Sequence, residues 1–81
     1  MEIHESALRH GIAEDDLLHP VRNAVAIDEL DDDLRLYIGP ARSAALLEVI
    51  TLRRGADDEE LVIHAMPLRA KYRRLLSGDQ P

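Results

Sequence analysis

The chain has 81 residues, sixteen acids against ten Lys or Arg, a formal net charge of −6 and no cysteine. That length supports one small domain spanning 1–81, and the missing cysteines exclude disulfide staples, thiol chemistry and thiolate metal sites. The core must be aliphatic: 46% of residues are apolar, yet the only aromatics are Tyr37 and Tyr72, too few for the stacking platforms that hold single-stranded nucleic acid.

Ile3, Ala7 and Leu8 have helical spacing and Gly11 sits where a left-handed cap belongs, which predicts a first helix over 3–10. Glu14, Asp15 and Asp16 would open a second helix, where the macrodipole favours acids, with Ala13, Leu17 and Leu18 as its buried stripe. Pro20 either ends that helix or opens another turn. The period then changes: a short strand is expected near 26–30, an acidic turn at Asp31-Asp32-Asp33, and a strand over 34–38. Val49, Ile50 and Thr51 are β-branched in a row, so 46–53 is the strongest strand signal. A polar loop at 55–60 leads to a strand over 61–65. Leu68, Tyr72, Leu75 and Leu76 return to helical spacing, with a fraying tail from Ser77. The fold class is therefore α+β: two N-terminal helices, a three- to four-stranded antiparallel sheet joined by short loops, and a C-terminal helix.

Charge is unevenly spread. Residues 1–33 hold ten acids and two bases, whereas 68–76 contains Arg69, Lys71, Arg73 and Arg74 and no acid. One end of the surface could meet an anion and the other a basic partner; an ordinary solvated surface is the plain alternative. Strand alternation sorts Leu34, Leu36, Ile38, Leu47, Val49, Ile63 and Ala65 into a core set, and leaves Arg35, Tyr37, Glu48 and His64 for the other face. Convergence of Tyr37, Glu48 and His64 beside the basic last helix would provide general acid–base chemistry on a phosphodiester; cross-strand pairing on a solvated face is the competing reading. His4, His10, His19 and His64 show no ligand spacing, and Asp31 to Asp33 lack the spaced oxygens of a calcium loop, so neither metal nor cofactor is expected. No apolar run nears the roughly 20 residues of a membrane span. The acidic opening Met1-Glu2-Ile3-His4-Glu5 is unlike a secretory leader, so the expected location is the cytoplasm, away from membranes.

Several strings, in this order, resemble BrnT-like toxins of type II toxin–antitoxin modules. They are Ala7-Leu8-Arg9-His10-Gly11-Ile12, Ile38-Gly39, Leu46-Leu47-Glu48-Val49-Ile50-Thr51-Leu52-Arg53, Ile63-His64-Ala65 and the basic segment from Arg69. The resemblance covers about residues 5 to 76. It implies a RelE-type fold, a metal-independent endoribonuclease that inhibits translation, an RNA substrate and a cognate antitoxin. On that basis His64, Glu48, Tyr37, Arg53 and Arg69 are the expected catalytic residues, and His10, Lys71 and Arg73 the expected substrate contacts. Met66 stands where the family has arginine, so the nearest cation is Arg69. Two other classes stay open: a non-catalytic binding inhibitor on the same fold, and a small acidic interaction subunit docking a basic partner. Association with a partner or a second copy is expected under each, because a small aromatic-poor core gains stability from it.

Overall fold

The computed structural model describes residues 1–55 and 59–76. The tip of the predicted 55–60 loop and the tail from Ser77 lie outside them. The architecture is α+β, with one α-helix, two 3-10 segments and a five-stranded mixed sheet among the described residues. The strands are β1 (Glu2–Ile3), β2 (Ala26–Glu29), β3 (Leu34–Pro40), β4 (Leu46–Arg54) and β5 (Glu59–Pro67), and α1 is Glu14–Arg22. They lie in the order β1-β5-β4-β3-β2. Neighbours from β2 to β5 are antiparallel; β1 pairs parallel with β5 through Glu2 opposite Leu61 and Ile3 opposite Val62.

Two expectations about the helices and one about the sheet are corrected. The predicted first helix is instead a strand followed by a 3-10 turn, Glu5–Leu8. The His4 N–H joins the ladder at the Val62 carbonyl (2.8 Å), its ring accepts from Ser6 N–H, and the Ser6 hydroxyl donates to the Ile63 carbonyl (2.7 Å). These bonds hold the chain extended along β5 as far as His4 and tie Ser6 to the same strand, so that only a 3-10 turn follows. Gly11 does adopt the left-handed conformation, φ +79°. The predicted C-terminal helix is an extended step at Leu68–Arg69 followed by a 3-10 helix, Ala70–Leu75. Leu68 N–H bonds to the Leu46 carbonyl and Arg69 N–H to Glu48, so β4 holds the chain extended past Pro67. The sheet is also larger than expected and not wholly antiparallel, because β1 adds a parallel edge.

The second helix forms where predicted, with three acids in its first turn compensating for an N-cap that lacks a side-chain bond; Ala13, expected in its buried stripe, is that exposed N-cap, and Leu18 is half-buried. It runs through Pro20 to Arg22 and buries Leu17 and Pro20. It rests on β3 so closely that a Cβ on Gly39 would collide with the Pro20 carbonyl oxygen. His19 fixes the same junction by donating from Nδ1 to the Pro40 carbonyl (2.7 Å).

Pairing assigns the two faces differently from the predicted sorting. Tyr37 opposes Val49, and Val49 opposes Ala65, so these three share a face. With Val62, Leu17 and Ala7 they make the core, packed by Ile3, Leu8, Ile12, Leu18, Val21 and Ala24. Ile38 opposes Glu48, and Ile50 opposes both Leu36 and His64; these occupy the other face, where Leu36 and Ile38 are also fully buried. A bulge at Ile63 shifts the phase of β5, which lets Val62 and Ala65 both point at the helix.

Candidate functional site

Glu48 sits in the middle of β4 with no exposed surface at all. A lone carboxylate there would be costly, and four hydrogen bonds stabilise it. Arg69 provides three: its backbone N–H to Oε1 (2.9 Å), and Nε (2.9 Å) and Nη2 (2.6 Å) to Oε2. The fourth comes from His64 Nε2 to Oε2, 2.9 Å. This bond follows from the register: His64 lies opposite Ile50, two residues along from Met66, which faces Glu48, so the two are diagonal neighbours on adjacent strands. Burial pushes the Glu48 carboxyl up, but the bonds from Arg69 and His64 outweigh it, and the group lies below its ordinary 4.5. The same pairing raises the Arg69 guanidinium above its ordinary value.

A carboxylate only accepts, so Glu48 keeps a proton on His64 Nε2 and leaves Nδ1 as the ring nitrogen it does not engage. The His10 ring stands edge-on to His64, centroids 5.7 Å apart at 75°. Arg69 and Lys71 both lie over the Tyr72 ring, at 5.6 and 5.0 Å, and bring two cations to the same end of the sheet. His64 and Arg69 thus meet on one buried carboxylate, with the His10 ring against His64 and Lys71 sharing the Tyr72 ring with Arg69. A paired imidazole held by a carboxylate, a second imidazole and adjacent cations can move protons and stabilise negative charge.

The expected site is only partly assembled. Glu48, His64 and Arg69 come together, joined by His10, with Lys71 alongside. Glu48, expected to transfer protons, is buried and saturated with donors, so its role here is to position His64 and Arg69. Tyr37 does not converge with them. It faces α1, donates to Glu60 Oε1 (2.7 Å) and accepts from Arg35 Nη1 (3.4 Å). The register puts it opposite Val49 rather than Glu48, which reverses its face. Arg53, opposite Glu60, shares that face, with Nη2 3.8 Å from Glu29. Arg73 is exposed on the last 3-10 helix.

Tyr37 belongs to a second polar group that the sequence did not suggest. Thr51 donates to the same Glu60 oxygen (2.6 Å), and Arg35 bonds Glu29 through Nε (2.6 Å). Burial pushes the Tyr37 phenol up and the bond to Glu60 adds to it. Burial also pushes Glu60 up, but bonds from Thr51 and Tyr37 and the charges of Arg35 and Arg53 bring it below its ordinary value. Tyr72 was likewise missed as a site residue, because its spacing with Leu68 and Leu76 reads as an apolar helix face; the cations beside it in sequence were the available signal.

Among the described residues, no group of three or more His, Asp or Glu is placed to hold a metal ion, and no helix is long and apolar enough to cross a membrane. No family model, curated protein or solved structure matches this chain.

Proposed function

We propose that this chain is the toxin component of a type II toxin–antitoxin module, acting in the cytoplasm as a metal-independent endoribonuclease of the BrnT-like kind. The observation that carries the reading is His64, held by buried Glu48, with His10 at 5.7 Å and Arg69 on the same carboxylate. In the mechanism, Nδ1 of His64 takes the proton of an RNA 2′-hydroxyl, whose oxygen attacks the adjacent phosphorus. Protonated His10 gives a proton to the departing 5′-oxygen. The products are a 2′,3′-cyclic phosphate and a 5′-hydroxyl, so each proton is accounted for and no metal is required. Arg69, through the Nη1 that Glu48 does not engage, and Lys71 stabilise the charge on the phosphorane, and Arg73 contacts a neighbouring phosphate. A cognate antitoxin would block cleavage by covering this basic segment.

The alternative is a non-catalytic inhibitor that binds its target through the same surface. Two facts favour it: acids outnumber bases sixteen to ten, and Arg69 already spends two donor nitrogens on Glu48.

The test is a defined, end-labelled RNA incubated with purified chain in EDTA, alongside growth after induced expression. The expected result is growth arrest and fragments ending in 2′,3′-cyclic phosphate, with His64→Ala or His10→Ala reducing the rate by about 10²-fold or more. Arrest with intact RNA transfers the assignment to the binding inhibitor. Normal growth with folded, soluble protein refutes both.

A further inference from the structure

β2 closes one side of the sheet, and no strand among the described residues pairs with its outer edge. In an antiparallel pair, alternate residues aim their backbone groups at the neighbouring strand and the others aim away. Leu30 N–H bonds to the Leu34 carbonyl (2.9 Å), which puts Ala26, Asp28 and Leu30 in the inward phase. Ile27 and Glu29 therefore present their N–H and C=O groups outward. Beside this edge stand Val25 at 62% and Ile27 at 58% exposure, the two most exposed large aliphatics described, with Leu30 next to them. An open edge flanked by exposed aliphatics is the feature that soluble proteins ordinarily blunt with lysine, proline or a covering element.

Here the flanking charge has one sign. Asp28, Asp31, Asp32 and Asp33 accompany the edge, and no Lys or Arg occurs between Arg22 and Arg35. Glu29 is already engaged by Arg35 and Arg53. A second copy pairing β2 with β2 about a two-fold axis at Asp28 would set that aspartate against its equivalent and add a second acidic segment with no Lys or Arg from 23 to 34 to offset it, which costs rather than gains. A basic strand meets no such penalty.

We propose that the outer edge of β2 takes up an extended segment of another protein, aliphatic residues alternating with Lys or Arg, as a sixth strand. Main-chain bonds to Ile27 and Glu29 supply affinity. Aliphatic side chains on the face of Ile27 cover Val25 and Ile27, and the basic ones meet Asp28 and the Asp31–Asp33 turn. The surface is independent of the His64 cluster, which lies across β3 on β4 and β5, so peptide binding and RNA cleavage are read separately.

The probe is a synthetic eight-residue peptide of alternating Lys and Val, titrated into the full chain and followed by calorimetry and amide hydrogen exchange. Binding should protect the Ile27 and Glu29 amides. The same peptide N-methylated at alternate residues keeps its charge but loses one row of donors, and should bind at least tenfold more weakly. Ile27→Pro removes an outward N–H without breaking an inner bond, and Ile27→Lys repels the peptide while leaving the backbone intact; each should weaken binding at least tenfold. Asp31→Lys with Asp32→Lys should weaken it severalfold. Equal binding of the methylated peptide, protection elsewhere, indifference to the Ile27 variants or no binding at millimolar peptide would each overturn the proposal. A dimer of the free chain that protects β2 would assign the edge to a second copy instead, and overturn it too.

Discussion

Replacing Glu48 with Gln isolates what the buried carboxylate contributes. Glu48 accepts four bonds over two oxygens, and Gln has one carbonyl oxygen to offer. If that oxygen takes the Oε2 position, the bonds from Arg69 Nε and Nη2 and from His64 survive, but the amide NH2 then confronts the Arg69 backbone N–H. A buried donor left without an acceptor costs about 1–3 kcal/mol, and the surviving bonds lose the doubling that an ionised acceptor brings. The Arg69 side chain is 39% exposed and regains water, which limits the second loss. The sum is about 2–4 kcal/mol at pH 7, a large share of the about 5–10 kcal/mol such a domain holds. Urea unfolding followed by far-UV circular dichroism should show the midpoint falling by about 2 M or more, for a slope near 1 kcal/mol/M. The pH dependence has a definite sign. Folding depresses the Glu48 carboxyl, so its contribution is complete above the ordinary 4.5 and disappears as pH falls through the lower native value. Wild type and variant should therefore converge in acid, where both side chains are neutral. A variant within about 0.5 kcal/mol of wild type at pH 7, the scatter of ordinary surface substitutions, or a gap that persists undiminished in acid, would refute the reasoning.

Two further substitutions test the helix-covered face. Gly39→Ala forces a Cβ against the Pro20 carbonyl, backbone against backbone, and should cost at least about 3 kcal/mol or abolish soluble expression; Gly11→Ala, with open space and only a positive φ to strain it, should cost about 1 kcal/mol in thermal unfolding. Equal melting temperatures for the two would contradict the close approach of α1 to β3. Tyr37→Phe removes a donor from Glu60 and should destabilise by about 1–2 kcal/mol. It should also move the Glu60 carboxyl up toward its ordinary value in an NMR titration, and an unmoved carboxyl would deny the hydrogen bond its role.

Much of the fold was legible because its causes are local. The run Val49-Ile50-Thr51, the alternation in 34–38 and the turn residues between them specify β3 and β4 without reference to the rest of the chain. The acids at Glu14 to Asp16 similarly mark the start of α1. At the two ends local pattern misled: 3–10 and 68–76 have helical spacing, but bonds from His4 to β5 and from Leu68 and Arg69 to β4 hold the start of each segment extended. Periodicity says which side chains share a side of an element, and is silent on competing hydrogen-bond partners distant in sequence.

The candidate site shows the same division. Residue types singled out Glu48, His64 and Arg69, since an acid amid aliphatics and a basic cluster after Pro67 are visible in the chain itself. Their union, and the exclusion of Tyr37, depended on register. Alternation within β3 separates Tyr37 from Leu36, and within β4 separates Glu48 from Val49, but nothing local says how the two phases combine. The pairing of Tyr37 with Val49 decided it, and the bulge at Ile63 decided it again for β5. A one-residue slip would exchange the faces of every side chain, so the chemistry of the sheet follows from which buried surface is more favourable to form, and that energy belongs to the packed molecule rather than to any segment of it.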